Sequence, residues 1–353
     1  MTRTKGVKLR DVAEAAGVSQ GTASNVWNRP ELVRDEVRER VLAAAQALGY
    51  AGPSPKGRLL RAGKANAIGV AAAEPLSYFF SDPWARRLMA EVADVCDGRG
   101  AGLALVSVAS GQPLAWGIES ALVDGFLMRC GGRELLVEIA QRRGLPFVAL
   151  SLDADEPDVP AIDIDDFGGT YQVTRHLLEL GHRRFAILGI GLGDGPGPVP
   201  PEEVRATHFN NVLERARGYW AALAEAGISE DQVPLGAVRN GAPNIAEVME
   251  VLWNGAGPRP TAILAMADYV ALAAMGWLAA RGVRVPEDVS VVGFDGVPEA
   301  AEAQPPLTTV EQPFRRIAER SIEAILDGVM PEGREVLPLT LVVRGSSAPP
   351  PSG

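Results

Sequence analysis

The chain has 353 residues, 47% of them hydrophobic and 22% charged, and a net charge of −10. These figures provide for two or three globular units with a sizeable core and exclude a disordered chain. No apolar run approaches bilayer-spanning length, and MTRTKGVKLR leads into the first helical pattern without an apolar signal segment, so no membrane role and a cytoplasmic location are expected. Cys96 and Cys130 lack metal or redox spacing and read as ordinary buried thiols.

The charge is unevenly distributed. Met1 to Lys64 holds twelve basic and six acidic side chains, a surplus of six cations that leaves −16 for the remainder. A cationic head on an acidic body is expected where only the head meets phosphate, because the body then repels nucleic acid.

Leu9 to Asn28 reads as helix, turn, helix. Leu9, Val12, Ala13 and Ala16 share one helical face, Gly17 stands where the chain reverses, and Ser19 is placed to cap a second helix. In that second helix Ala23, Val26 and Trp27 turn inward. Gln20, Gly21, Ser24, Asn25 and Asn28 present an uncharged polar face suited to base edges in a major groove. A third helix is expected over 35–48, with Val37, Val41, Ala45 and Leu48 closing a small core and Gly49 ending it.

Residues 51–65 read as a linker, rich in glycine, proline and basic side chains. Within it Leu59 and Leu60 stand among cations that include Arg61, an arrangement that suits an apolar wedge entering a minor groove.

From Ala67 the pattern becomes alternating strand and helix. Continuous apolar runs at 67–72, 103–108, 123–128, 146–150, 185–190, 261–266 and 289–294 indicate parallel strands covered on both faces. Helical stretches at 84–97, 133–143, 168–180, 215–226, 245–253 and 270–280 separate them. The expected fold class is α/β: a helix-turn-helix head followed by a body of two doubly wound parallel sheets. Its ligand site would lie in the cleft beyond the carboxyl ends of the strands.

Enzyme readings gain little from these residues. GIGLGDGPG at Gly189 to Gly197 is followed by PVPPEE, so no helix N-terminus follows promptly to receive a pyrophosphate. His176, His182 and His208 show neither metal-ligand spacing nor a nucleophile partner, and no cofactor or metal is expected.

Several motifs together resemble the lactose-repressor family of bacterial transcription regulators. They are VKLRDVAEAAGVSQGTASNVWN at 7–28, ALGY at 47–50, RLLRAGK at 58–64, LLELGHRRFAIL at 177–188, RARGY at 215–219, VPEDVSVVGFD at 285–295 and PPLTTVEQP at 305–313. The resemblance implies a homodimer whose paired heads read a near-palindromic double-stranded DNA operator, acting as a repressor. It also implies a body similar to periplasmic sugar-binding proteins that binds a small-molecule effector, a carbohydrate or related metabolite. The competing reading, a solute-binding protein of the same body fold without a DNA role, would call for export and no basic head.

The resemblance divides the chain into a head at 1–50, a hinge at 51–65, a body at 66–347 and a tail at 348–353. One lobe would take 66–183 and 310–337, the other 184–309 and 338–347, with crossings near His182 to Arg184, Thr309 and Pro338. The tail lacks leucine heptads.

By position, the resemblance places base reading on Gln20, Gly21 and Asn25. Asn25 would favour adenine, and Ser19 and Thr22 would serve as cap and phosphate contacts. Leu60 aligns with the intercalating leucine and Leu59 competes for that role. For the effector it points to Arg215 and Asp295, with Asp268 either ligand contact or cap, while Ala267 stands where relatives often have asparagine. Phe79, Phe80 and Trp84 offer an aromatic wall or core packing.

Overall fold

A computed structural model describes residues 7–52, 64–72, 74–107, 121–129, 144–151, 159–193, 197–255 and 257–351. The expected helix at 133–143, Cys130, Leu59, Leu60 and Arg61 lie outside the described residues. The chain forms two compact units, Met1–Ala65 and Asn66–Gly353.

In the first unit, α1 is Leu9–Ala15, α2 Gln20–Asn28 and α3 Asp35–Ala47. The Asp11 carboxylate accepts the Lys8 N–H at 2.9 Å, closing the first turn of α1. Gly17 has φ +63°, a left-handed turn that a side chain would strain, and two residues on Ser19 Oγ accepts the Thr22 N–H at 3.0 Å. The core holds Leu9, Val12, Ala13, Ala16, Ala23, Val26, Val41 and Ala45, with Trp27 and Val37 packed against it. Leu48, expected in this core, is instead 39% exposed. Helix α3 ends at Ala47, and Gly49 at φ +67° turns Tyr50 back to seal the core edge-on against Trp27 at 5.7 Å.

The second unit holds two six-stranded sheets. The strands are β1 Ala67–Ala72, β2 Gly102–Ser107, β3 Gly125–Arg129, β4 Phe147–Leu150, β5 Ala161–Ile164, β6 Phe185–Ile190, β7 Leu235–Val238, β8 Ala262–Ala265, β9 Ser290–Asp295, β10 Thr308–Glu311, β11 Arg334–Leu337 and β12 Thr340–Val342. The first sheet, in order β11-β5-β4-β3-β1-β2, is parallel throughout. The second, in order β12-β10-β9-β8-β6-β7, is parallel except for β12, which runs antiparallel to β10. The second sheet is buried on both faces by its helices, and the first on one face by the helices Pro83–Gly98 and Phe314–Asp327, as the apolar runs require.

The lobes exchange chain at three places, and two expected crossings move. Helix α6, Asp166–Glu179, buries Val173 and Leu177 in the core of the second sheet, so the first crossing is at Asp165 and not near His182. Strand β10 still belongs to the second sheet, whereas α12, Phe314–Asp327, buries Phe314 and Ile317 in the first lobe. The second crossing is therefore Gln312–Pro313 and not Thr309. The third lies at Pro338, between β11 of the first sheet and β12 of the second. The crossings were placed from the resemblance, and neither it nor apolar periodicity tells which sheet a helix covers.

The end of the chain is tied down. Ser346 Oγ donates to the Val291 carbonyl at 2.6 Å, and buried His182 reaches Thr261, Ser290 and the Ala348 carbonyl at 2.8–3.1 Å. Residue 348, assigned to the tail at 348–353, is thus bonded to the body.

Candidate functional site

On α2 the polar face is open. Gln20, Gly21 and Asn28 are exposed, and Thr22, Ser24 and Asn25 half-buried. Ser19 and Thr22 hydroxyls meet at 2.9 Å, and Asn28 Nδ2 donates to Ser24 Oγ at 3.0 Å. These bonds fix the ends of the face and leave Gln20 and Asn25 as its extended amides, groups able to donate and accept at once.

In the body, side chains converge between the lobes at the carboxyl ends of the strands. The cleft is lined by Tyr78, Asp82, Trp84 and Arg129 from the first lobe, by Asn211, Arg215, Asn240, Tyr269 and Asp295 from the second, and by Gln312 at a crossing. Their packing leaves about 60 Å³, room for little more than water.

Arg215 lies on α8, Asn210–Glu225, and is 5% exposed. Its Nε donates to Asp166 Oδ1 at 2.7 Å, one Nη donates to the Met266 carbonyl, and Asp295 Oδ1 lies 3.7 Å away. The guanidinium sits 3.7 Å from the Phe294 ring centroid, a cation on an aromatic face. Burial raises the Asp166 pKa to about 6 against the pull of Arg215, and raises Asp295 well above the usual carboxylate range. Asp295 also carries φ +130°, backbone strain of the kind that collects at functional sites.

Across the cleft, Arg129 donates to Glu74 Oε1 at 3.0 Å and to the Tyr78 hydroxyl at 2.6 Å, with its guanidinium 4.7 Å from the Trp84 ring centroid. Asp82 accepts the Ala85 N–H at 2.9 Å, and burial raises its pKa. Both cleft arginines are thus already paired with carboxylates of the chain.

The structure brings Trp84, Arg215 and Asp295 together and separates the other expected effector residues from them. Phe79 is 3% exposed inside the first-lobe core, and Phe80 is 67% exposed on the surface. Neither lines the cleft, because the short helix α4, Tyr78–Ser81, turns Tyr78 toward it instead. Asp268 is fully buried, and its oxygens accept the Gly296 and Val297 N–H groups at 2.7 and 2.9 Å and the Thr309 hydroxyl at 2.5 Å. It caps the turn after Asp295 and touches no cleft space. Its pKa is raised to about 6, chiefly by burial. Arg129 and Gln312 were missed. A charged residue ending the apolar run at Arg129 and an amide within TTVEQP were the available signals.

A helix-turn-helix head and a two-lobed α/β body with an interlobe polar cleft define a ligand-responsive DNA-binding regulator. Residues 8–52 match the bacterial regulatory proteins of the lacI family, and residues 174–347 match a periplasmic binding protein-like domain. The chain is 38% identical to an HTH-type transcriptional regulator of Mycobacterium tuberculosis over 99% of both chains, and 31% identical to the regulator CelR of Thermobifida fusca over 97% of both. Among solved structures it resembles the lac repressor dimer bound to operator and an anti-inducer (TM-score 0.77, 27% identity, 98% of this chain and 100% of that one). It also resembles the CelR–cellobiose complex (TM-score 0.64, 29% identity, 97% and 100%). The chain belongs to the lacI family and is a helix-turn-helix transcription regulator, which sets aside a plain solute-binding protein.

Proposed function

We propose that the protein is a cytoplasmic homodimeric repressor, without a catalytic step, whose affinity for a near-palindromic operator is set by a neutral, hydroxyl-rich effector bound between the lobes. The observation that carries the effector class is the pairing of both cleft arginines: Arg215 with Asp166 and Asp295, Arg129 with Glu74. Among the described residues lining the cleft no cation is left over for a phosphate or carboxylate ligand, whereas Asp82, Asp295 and the asparagine amides can accept from and donate to hydroxyl groups. The related CelR structure holds cellobiose, and another lacI-family structure, 25% identical, holds ribose. Both support a carbohydrate or similar polyol.

In this reading Trp84, Arg215 and Asp295 contact effector. Gln20, Gly21 and Asn25 face the bases, with the Asn25 amide matched to adenine, while Ser19, Thr22, Ser24 and Asn28 position the helix against the backbone. Leu59, Leu60 and Arg61 supply the hinge contacts. The test has two parts: sequencing the genomic fragments that the purified protein retains in moderate salt, and a thermal-shift panel of neutral sugars and polyols beside their phosphate esters. A short near-palindrome and a shift with a neutral ligand are expected. Uniform, salt-sensitive retention with shifts only for esters would reject both parts.

A further inference from the structure

One side chain bridges the lobes inside the cleft. Gln312, 3% exposed, lies at the second crossing and uses both ends of its amide. Its Oε1 accepts the Trp84 indole N–H of the first lobe at 2.9 Å, and its Nε2 donates to Asp295 Oδ1 of the second at 2.8 Å. The Gln312 backbone N–H also donates to the Asp295 carbonyl at 3.0 Å, which holds the strained residue in place. The chain continues through Arg215 to Asp166, one residue past the first crossing. Two of the three crossings are therefore connected by a single run of polar contacts. An ion pair between the lobes, Arg86 with Glu299, is exposed at both partners and contributes little.

The polarity of the bridge has a consequence. Indole donates to amide and amide donates to carboxylate, so the run ends on the acceptor that an effector hydroxyl would seek. With about 60 Å³ in the cleft as it stands, a sugar-sized ligand requires its lining, which includes Trp84 and Gln312, to shift. Resting on the effector-responsive reading given above, we propose that Gln312 is the positioning residue that couples occupancy of Asp295 to the seating of Trp84, and thereby to closure of the two lobes.

Q312E turns this bridge into one that needs a proton. The new carboxyl still accepts from Trp84, but it can donate to Asp295 only when the pair shares a proton. The groups facing the pair are Arg215 from α8, Asp268 and Tyr269 from the start of α10 (Asp268–Ala279), and Tyr78, Asp82 and Arg129 from the first lobe. Wild type carries all of them, so a variant-to-wild-type ratio reports what the added carboxyl changes, its coupling to these groups included.

The experiment uses full-length protein labelled with ¹⁵N-tryptophan and no added ligand. The Trp84 indole resonance, identified by its loss in W84F, and the Kd for a genomic fragment that wild type retains are measured at about pH 6 and about pH 8. In Q312E the indole signal should match wild type at the lower pH and move at the higher. The Q312E-to-wild-type ratio of operator Kd should change by about tenfold or more between them, and the W84F ratio should not change. In Q312A the indole signal should be displaced at both values, which decides the matter if Q312E does not fold. An indole signal indifferent to every Gln312 variant, or a Q312E ratio that ignores pH, overturns the proposal. If wild type retains no fragment, the regulator reading fails, and the indole signal alone still decides whether Gln312 seats Trp84.

Discussion

The head and the body are built on opposite principles. The head makes its core from residues within a few turns of one another, and its working face is left open and uncharged by default. The cleft is assembled from residues as far apart as Asp82 and Gln312, its central Arg215, Asp295 and Gln312 buried and most of the rest half-buried, and its charges are matched to each other before any ligand arrives. A local surface tolerates changes that alter only what it reads. A buried, mutually compensated cluster does not, because removing one member strands the others.

The sharpest way to break this contrast is R215A. It leaves Asp166 and Asp295 buried without their counter-charge, and loss of about 3–5 kcal/mol of body stability is expected in urea titrations. A loss no larger than that of an exposed arginine would show the cluster to be uncoupled. V12A in the head removes a fully buried side chain and should cost roughly 2 kcal/mol. Operator binding should weaken while ligand-induced thermal shifts of the body persist; loss of both would show that the two units do not act separately.

Within the head, N25A should relax discrimination at one operator position by about 1–3 kcal/mol, read by competition between single-base variants of the operator. S19A should instead cost about 1 kcal/mol of helix stability and weaken all sequences alike. An equal loss across base variants for N25A would remove it from base reading.

The smallest effect concerns pH. Burial lowers the pKa of His176 and His182 below the ordinary 6.5, so the folded body binds fewer protons than the unfolded chain just below that value. Their contribution is complete above about pH 6.5 and is lost as pH falls below it. Asp166 and Asp268, raised to about 6, act in the opposite sense and are the same in wild type and variant. H182Q should therefore flatten the acid side of the stability profile relative to wild type, and an unchanged slope would place the proton elsewhere.

The same contrast explains what the sequence made legible. Leu9 to Asn28 was read almost residue by residue, because helix period, a glycine turn and a serine cap are local signals. Seven apolar runs located strands, while β5 (AIDI), β10 (TTVE) and β11 (REVL) carry polar residues that interrupt the run, and β7 (LGAV) is broken by a glycine. Arg215 and Asp295 were found through motifs, and Trp84 through its place after the first strand. Phe79 and Phe80 were not separable from a ligand wall by composition, since only the turn of α4 decides that Tyr78 faces the cleft. Gln312 owes its role to the crossing point, and that point depends on which sheet α6 and α12 cover. Leu48 failed for a related reason, because Tyr50 returning after Gly49 took the place its periodicity had reserved.

The claim that links the two regions is that a neutral ligand in the cleft changes what the head binds. Its most direct test is the Kd for the recovered operator, titrated with and without each neutral sugar or polyol that shifts the melting temperature, in wild type and R215A. A change of about 5–150-fold in wild type, absent in R215A that is still folded, is the expected result. A response confined to phosphate esters, or one that survives intact in R215A, would contradict it.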